Sequence, residues 1–188
     1  MNQTLLIAVV AAVIVIAVVA VIVSRRRRSA HLKEHFGPEY GRAVAEAGSP
    51  SKAEAELAER EKRVEKLDIR PLTPAEREDF LRRWSEVQGR FVDDPPRAVA
   101  FADALLGEVM KARGYPVSDF DQRAGDISVE HPGVVEHYRT AHEIALRHER
   151  GQASTEDLRQ AMIHYRALCD ELVHVDEPVA GRQPEPAH

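Results

Sequence analysis

The chain has 188 residues, 44 % apolar and 30 % charged, with 26 Lys and Arg against 31 Asp and Glu and a net charge of −5 when the histidines are neutral. That length suits one domain with appendages, and a single cysteine, Cys169, excludes an intrachain disulfide framework or a cysteine-rich zinc site. Outside Arg25–Arg28 the chain carries 22 basic and 31 acidic side chains; it lacks the basic footprint that displaces counterions from nucleic acid, so no nucleic-acid partner is expected.

The first element is apolar throughout. Leu5 to Val23 are 19 residues without a charged or strongly polar side chain, about 28 Å of helix against a bilayer core of ~30 Å. Val and Ile favour strands in water, but in lipid the backbone must satisfy its own hydrogen bonds, so helix wins. A cleaved signal peptide would have a basic start and an apolar stretch of about 7–15 residues. Met1-Asn2-Gln3-Thr4 has no basic side chain, and the run continues past Val18-Val19-Ala20. Residues 1–28 therefore read as a transmembrane anchor with a basic flank. Arg25, Arg26, Arg27 and Arg28 predict an N-terminus outside and the rest of the chain in the cytoplasm. They also suit anionic headgroups, at about 1 kcal/mol per basic residue. The lipid bilayer is thus the first expected partner. Ala8 and Ala12 make one small-xxx-small pair, a sign of a homo-oligomer within the membrane.

Residues 29–70 read as a juxtamembrane linker, broken at Gly37-Pro38, Gly41 and Gly48, followed by a charged helix over 51–67. Ser51 with Glu54 gives a capping-box pattern, and Glu56–Arg60 and Glu59–Arg63 are favourable pairs four residues apart. Its large apolar residues, Leu57, Val64 and Leu67, make too narrow a seam for a coiled coil, so a solvated spacer is expected.

The bundle is expected over 71–175. Thr73-Pro74-Ala75-Glu76 opens a helix with an N-cap, proline in the first turn and an acidic third residue. Phe80, Trp84, Val87 and Phe91 then recur on one face. Asp94 restarts the chain, and Ala98, Ala102, Leu105, Leu106, Val109 and Met110 suggest a central helix that Gly114 and Pro116 end. A short helix is expected from about Ser118 to Ile127. The next is expected to begin at His131-Pro132, with Val135, Tyr138, Ala141 and His142 inward, and to end at Gly151. Ser154 with Asp157 caps the last, whose stripe includes Leu158, Tyr165, Leu168, Cys169 and Leu172. A connection of about five residues favours an antiparallel hairpin between these two. Residues 176–188 read as a disordered tail. The fold class expected is all-α: an N-terminal transmembrane helix, a charged spacer helix and a compact bundle of about four main helices.

The blocks Phe91-Val92-Asp93-Asp94-Pro95, Arg113-Gly114-Tyr115-Pro116-Val117, Ser128-Val129-Glu130-His131-Pro132 and Ser154 to Ala161 resemble a family of uncharacterised bacterial proteins with a short N-terminal membrane segment and a helical remainder. The resemblance covers roughly residues 71–174. It implies no activity and supplies no catalytic residues.

Several patterns invite chemistry. His31-Leu32-Lys33-Glu34-His35 matches H-x-x-E-H, which on a helix could hold zinc with Glu34 activating water. It lies at the headgroup layer, however, and Gly37-Pro38 breaks the helix directly afterwards. His142-Glu143 begins H-E-x-x-H, but Leu146 occupies the fifth position. No catalytic residue, metal ligand or cofactor is therefore assigned. Cys169 is expected to be buried and inert, and the Phe80, Trp84 and Phe91 row to be core. The reading is a membrane-tethered, non-enzymatic interaction module with a protein partner. The alternative is a bundle that binds a small ligand or metal among Tyr138, His142 and Tyr165.

Overall fold

A computed structural model describes residues 3–116 and 118–174, with residues 3–10 described by their backbone. The described residues form eight helices and no strand: α1 Gln3–Phe36, α2 Pro38–Ala47, α3 Pro50–Val64, α4 Pro74–Arg90, α5 Pro95–Arg113, α6 Phe120–Glu130, α7 Val135–Glu149 and α8 Thr155–His174. The all-α expectation holds. Residues 175–188, which include the expected tail, lie outside the described residues. The chain divides into two compact units, residues 1–59 and 60–188.

In the first unit, α1 runs without a break through the apolar stretch and Arg25–Arg28 to Phe36. From Val13 to Val23 the large apolar side chains are 42–68 % exposed, and the arginines beyond them are exposed as well. Among the described residues no helix is long and apolar enough to cross a membrane. Leu5 to Val10 of the expected span lie outside the residues whose side chains are described, as does Ala8 of the Ala8–Ala12 pair. Gly37, at φ 48°, ends α1, and Pro38 starts α2 in the first-turn position where its missing N–H is no loss. The expected break at Gly41 does not occur, because one glycine weakens a helix without stopping it. Gly48 stops α2 in the left-handed conformation, its N–H donating to the Val44 carbonyl at 3.0 Å.

The charged helix α3 is not the solvated spacer expected of it. Ala53, Leu57, Ala58 and Val64 are buried, and so is Arg60. A narrow apolar seam of small residues still lets a backbone pack closely, so few large side chains are needed.

The second unit takes in residues 60–70 together with the bundle. The Arg63 guanidinium donates to the almost fully buried Asp126 carboxylate at 2.7 Å, and Leu67 and Ile69 pack on the core. The Arg70 N–H donates to the Arg113 carbonyl at 2.8 Å, bringing this segment against the end of α5. Gly114 makes the approach possible: its φ is 101°, and a Cβ there would lie 2.2 Å from the Asp68 carbonyl oxygen.

Helix α4 starts as its sequence predicts. Thr73 Oγ1 accepts from the Glu76 N–H at 3.3 Å, and Glu76 accepts from the Thr73 N–H at 2.9 Å. Arg70 and the cap together hold the Glu76 carboxyl down at about 2. Asp94 and Asp119 cap α5 and α6 more simply, each carboxylate accepting from the backbone N–H three residues on, at Arg97 and Gln122. Helix α5 packs against α4, α7 and α8, and α7 pairs with α8 across residues 150–154. One core joins these helices, with Trp84, Leu106, Tyr138, Tyr165 and Leu168 among its buried members.

Several boundaries differ from expectation: α3 ends at Val64 rather than at 67, α6 runs Phe120–Glu130 rather than from Ser118 to Ile127, and α7 starts later than His131-Pro132. His131-Pro132 closes α6, and α7 starts only at Val135. A residue before proline is pushed out of the helical region, and His131 sits at φ −127°, ψ 56°. Its carbonyl accepts from the Val134 and Val135 N–H groups at 3.2 and 3.3 Å, which turns the chain into α7.

Candidate functional site

The three side chains that periodicity turned inward gather on the α7–α8 hairpin, facing α5 and α6. Tyr138 and Tyr165 are fully buried, their rings 6.3 Å apart. The Tyr165 hydroxyl donates to Asp103 of α5 at 3.3 Å, while the Tyr138 hydroxyl has no hydrogen-bond partner among the described residues. Burial pushes both phenols above their ordinary range, and the Asp103 carboxylate adds to the effect. Neither ionises at neutral pH, so both remain potential donors.

His142 differs from the expectation of full burial. It is half-buried, and its ring stacks on Phe120 of α6, with centroids 3.6 Å apart and planes 9° from parallel. Stacking on an aromatic face covers one side of the imidazole and leaves its edge open. Burial lowers its pKa, so the ring is neutral at pH 7.

A pocket of about 250 Å³ opens between α5, α7 and α8. Val99, Leu146 and Leu158 supply an apolar lining; Asp103, His142 and Tyr165 supply polar atoms. Of the three candidates, His142 and Tyr165 thus line a common pocket. Tyr138 packs beside them against Phe120, at 4.8 Å between ring centroids. The Arg123 guanidinium lies 6.0 Å from the centre of the Tyr138 ring. Gly107 of α5 leaves it room, since a Cβ there would sit 3.2 Å from Arg123 Nη1.

Asp103 was not singled out from the sequence, yet a signal for it existed. It lies four residues after Val99 and three before Leu106, half-buried at the edge of the apolar stripe of α5. A carboxylate in that register is an anomaly worth marking.

Two further polar groupings lie outside this pocket. His137 and His164 approach with their Nδ1 atoms 2.8 Å apart, a hydrogen bond in which one ring donates and the other accepts. An antiparallel hairpin turning at Gly151 brings them together, since His137 is 14 residues before that glycine and His164 is 13 after it. His131, buried, contacts Glu171 at 3.1 Å, while Tyr115 donates to Glu130 at 2.7 Å. Among the described residues no group of three or more His, Cys, Asp or Glu is placed to hold a metal. His31 and His35 do share one face of α1, their rings stacked 5.8 Å apart, but both are exposed. Cys169 is buried, and burial pushes its thiol up to about 12, far from a reactive thiolate.

No family model matches this chain, and neither a curated protein nor a solved structure does.

Proposed function

We propose that the protein is a membrane-tethered helical module that acts by binding a partner rather than by catalysis. Residues 1–28 form its anchor, with the N-terminus outside and the bundle in the cytoplasm. One observation carries this reading: α1 exposes large apolar side chains from Val13 to Val23 and then four exposed arginines in succession. A helix that is apolar all round has no preferred face to bury in a bundle, and lipid accommodates every face at once. The arginines supply the orientation.

A binding role draws support from the α4–α5 surface. Phe101 is 44 % exposed beneath the Arg90 guanidinium, 5.2 Å from the ring centre, and Val92, two residues after Arg90, is 84 % exposed. Apolar area with an arginine over an aromatic ring is the composition of an interface core. Two tests apply. A C-terminal reporter active only outside the cytoplasm should stay silent, and crosslinking in native membranes should trap a partner that Phe101→Ala releases. External reporter activity, or crosslinks indifferent to Phe101, would remove the reading.

A second reading is favoured by the pocket at His142 and Tyr165. An apolar cavity with a few converging polar groups is the form small-ligand sites take. At about 250 Å³ it suits a ligand smaller than a drug.

A further inference from the structure

We propose that the pocket between α5, α7 and α8 takes a small organic cation, an ammonium group on a short apolar body. This inference deepens the second reading above and rests on it. The apolar floor of Val99, Leu146 and Leu158 would receive the body. The charge follows from the polar lining. Asp103 and Glu149 both line the pocket, and among the described residues no lysine or arginine does. Asp103 has one hydrogen-bond partner among the described residues, the Tyr165 hydroxyl at a long 3.3 Å. A carboxylate can accept about four such bonds, so it retains capacity for the N–H donors of an ammonium group.

Arg123 is the cation whose charge acts on His142 and Tyr165, and it does not reverse the sign. The His142 ring on the pocket wall feels Asp103, Asp121 and Glu149 against the single guanidinium of Arg123, with Asp103 the strongest of the four. The imidazole itself adds no positive charge at pH 7, because burial holds it neutral. His148, also on the wall, has its Nδ1 buried without a hydrogen-bond partner among the described residues, a further polar atom that a bound group could satisfy. An anionic ligand would meet two carboxylates across an apolar lining. A neutral one would leave the Asp103 capacity unused.

The probes are three molecules of similar size: 2-phenylethylamine as its ammonium ion, 2-phenylethanol and 3-phenylpropionate. Each is titrated calorimetrically into the full chain in detergent at pH 7.5. The ammonium should bind about tenfold or more tightly than the alcohol, since a charge-assisted hydrogen bond is roughly twice as strong as a neutral one. The carboxylate should bind least. Asp103→Asn should remove the preference for the cation while sparing the alcohol. Glu149→Gln, at an exposed position, should reduce it in the same direction and guards against misfolding of the first variant. Ala100 lines the pocket but is exposed, so Ala100→Phe fills the space without disturbing the core and should abolish binding of every probe. If Ala100→Phe abolishes binding but the alcohol or the carboxylate binds as well as the ammonium, the pocket stands and the cation is wrong. Absence of saturable binding, or binding indifferent to Ala100→Phe, overturns the pocket as well.

Discussion

Residues 13–23 of α1 and the core helix α5 draw on the same kinds of side chain and place them oppositely. In α5, Val99, Leu105, Leu106, Val109 and Met110 lie on one side and are buried, while Arg97, Glu108 and Lys111 keep the other side in water. In α1 the apolar residues occupy the whole circumference and stay exposed. The amount of apolar surface is therefore less informative than its distribution. A stripe is satisfied by neighbouring helices; a full cylinder of apolar surface has no single face for them to cover, and the anchor proposal rests on that difference.

The largest effect expected from breaking this contrast is a change of compartment. Ile16→Arg puts a charge in the middle of the cylinder, at a cost of about 2.5–3.5 kcal/mol for insertion. The variant should move from the alkaline-extracted membrane pellet to the soluble fraction. A wild-type chain found in the soluble fraction would end the anchor proposal.

Within the bundle the corresponding disruption is a cavity. Trp84→Ala and Tyr138→Ala each remove a large buried ring and should lower stability by about 3–5 kcal/mol in denaturant titrations. Tyr138→Phe sharpens the same point: the hydroxyl has no partner among the described residues, so its loss should leave stability within about 1 kcal/mol or raise it. A large loss with phenylalanine would mean that the hydroxyl is bonded in solution.

The segment joining α3 to α4 gives a smaller effect. Gly114→Ala combines a left-handed backbone with a collision against the Asp68 carbonyl, and should cost about 1–3 kcal/mol. In a fragment beginning at Pro71 that collision is absent, and the penalty should shrink to the backbone strain alone. An equal penalty with and without residues 60–70 would show that the close approach is not made.

The smallest effect is a pH dependence. His164 is held below its ordinary pKa by burial and then by His137, and His142 by burial. As pH falls through about 6.5 the unfolded chain takes up these protons before the folded one does. Stability is then complete above that pH and declines from it towards the lower folded values. His164→Asn should flatten the slope between pH 7 and 5, by about 1–2 °C in the melting temperature. A slope unchanged by the substitution would assign it to other groups; the lowered carboxyls Glu76 and Glu156, at about 2, act only below pH 5.

Local chemistry made much of this protein legible before any coordinates. The caps at Thr73, Asp94 and Gly114, the inward faces of Trp84, Tyr138 and Tyr165, and the burial of Cys169 depend on turn geometry and helical period, which operate within a few residues. The sequence by itself thus determined an all-helical chain and most of its core stripes. Long-range register lay beyond it. The hairpin register brings His137 to His164, and the packing of α5 on α8 brings Asp103 to Tyr165. The Asp126 carboxylate likewise waits on Arg63, 63 residues away in sequence. Such pairings depend on which helix faces lock together, and that is decided by the summed packing of the core rather than by any one residue's neighbours. Tertiary structure also decided that His142 stacks on Phe120 instead of disappearing into the core, because the position of α6 is set by contacts that the sequence of α7 does not contain.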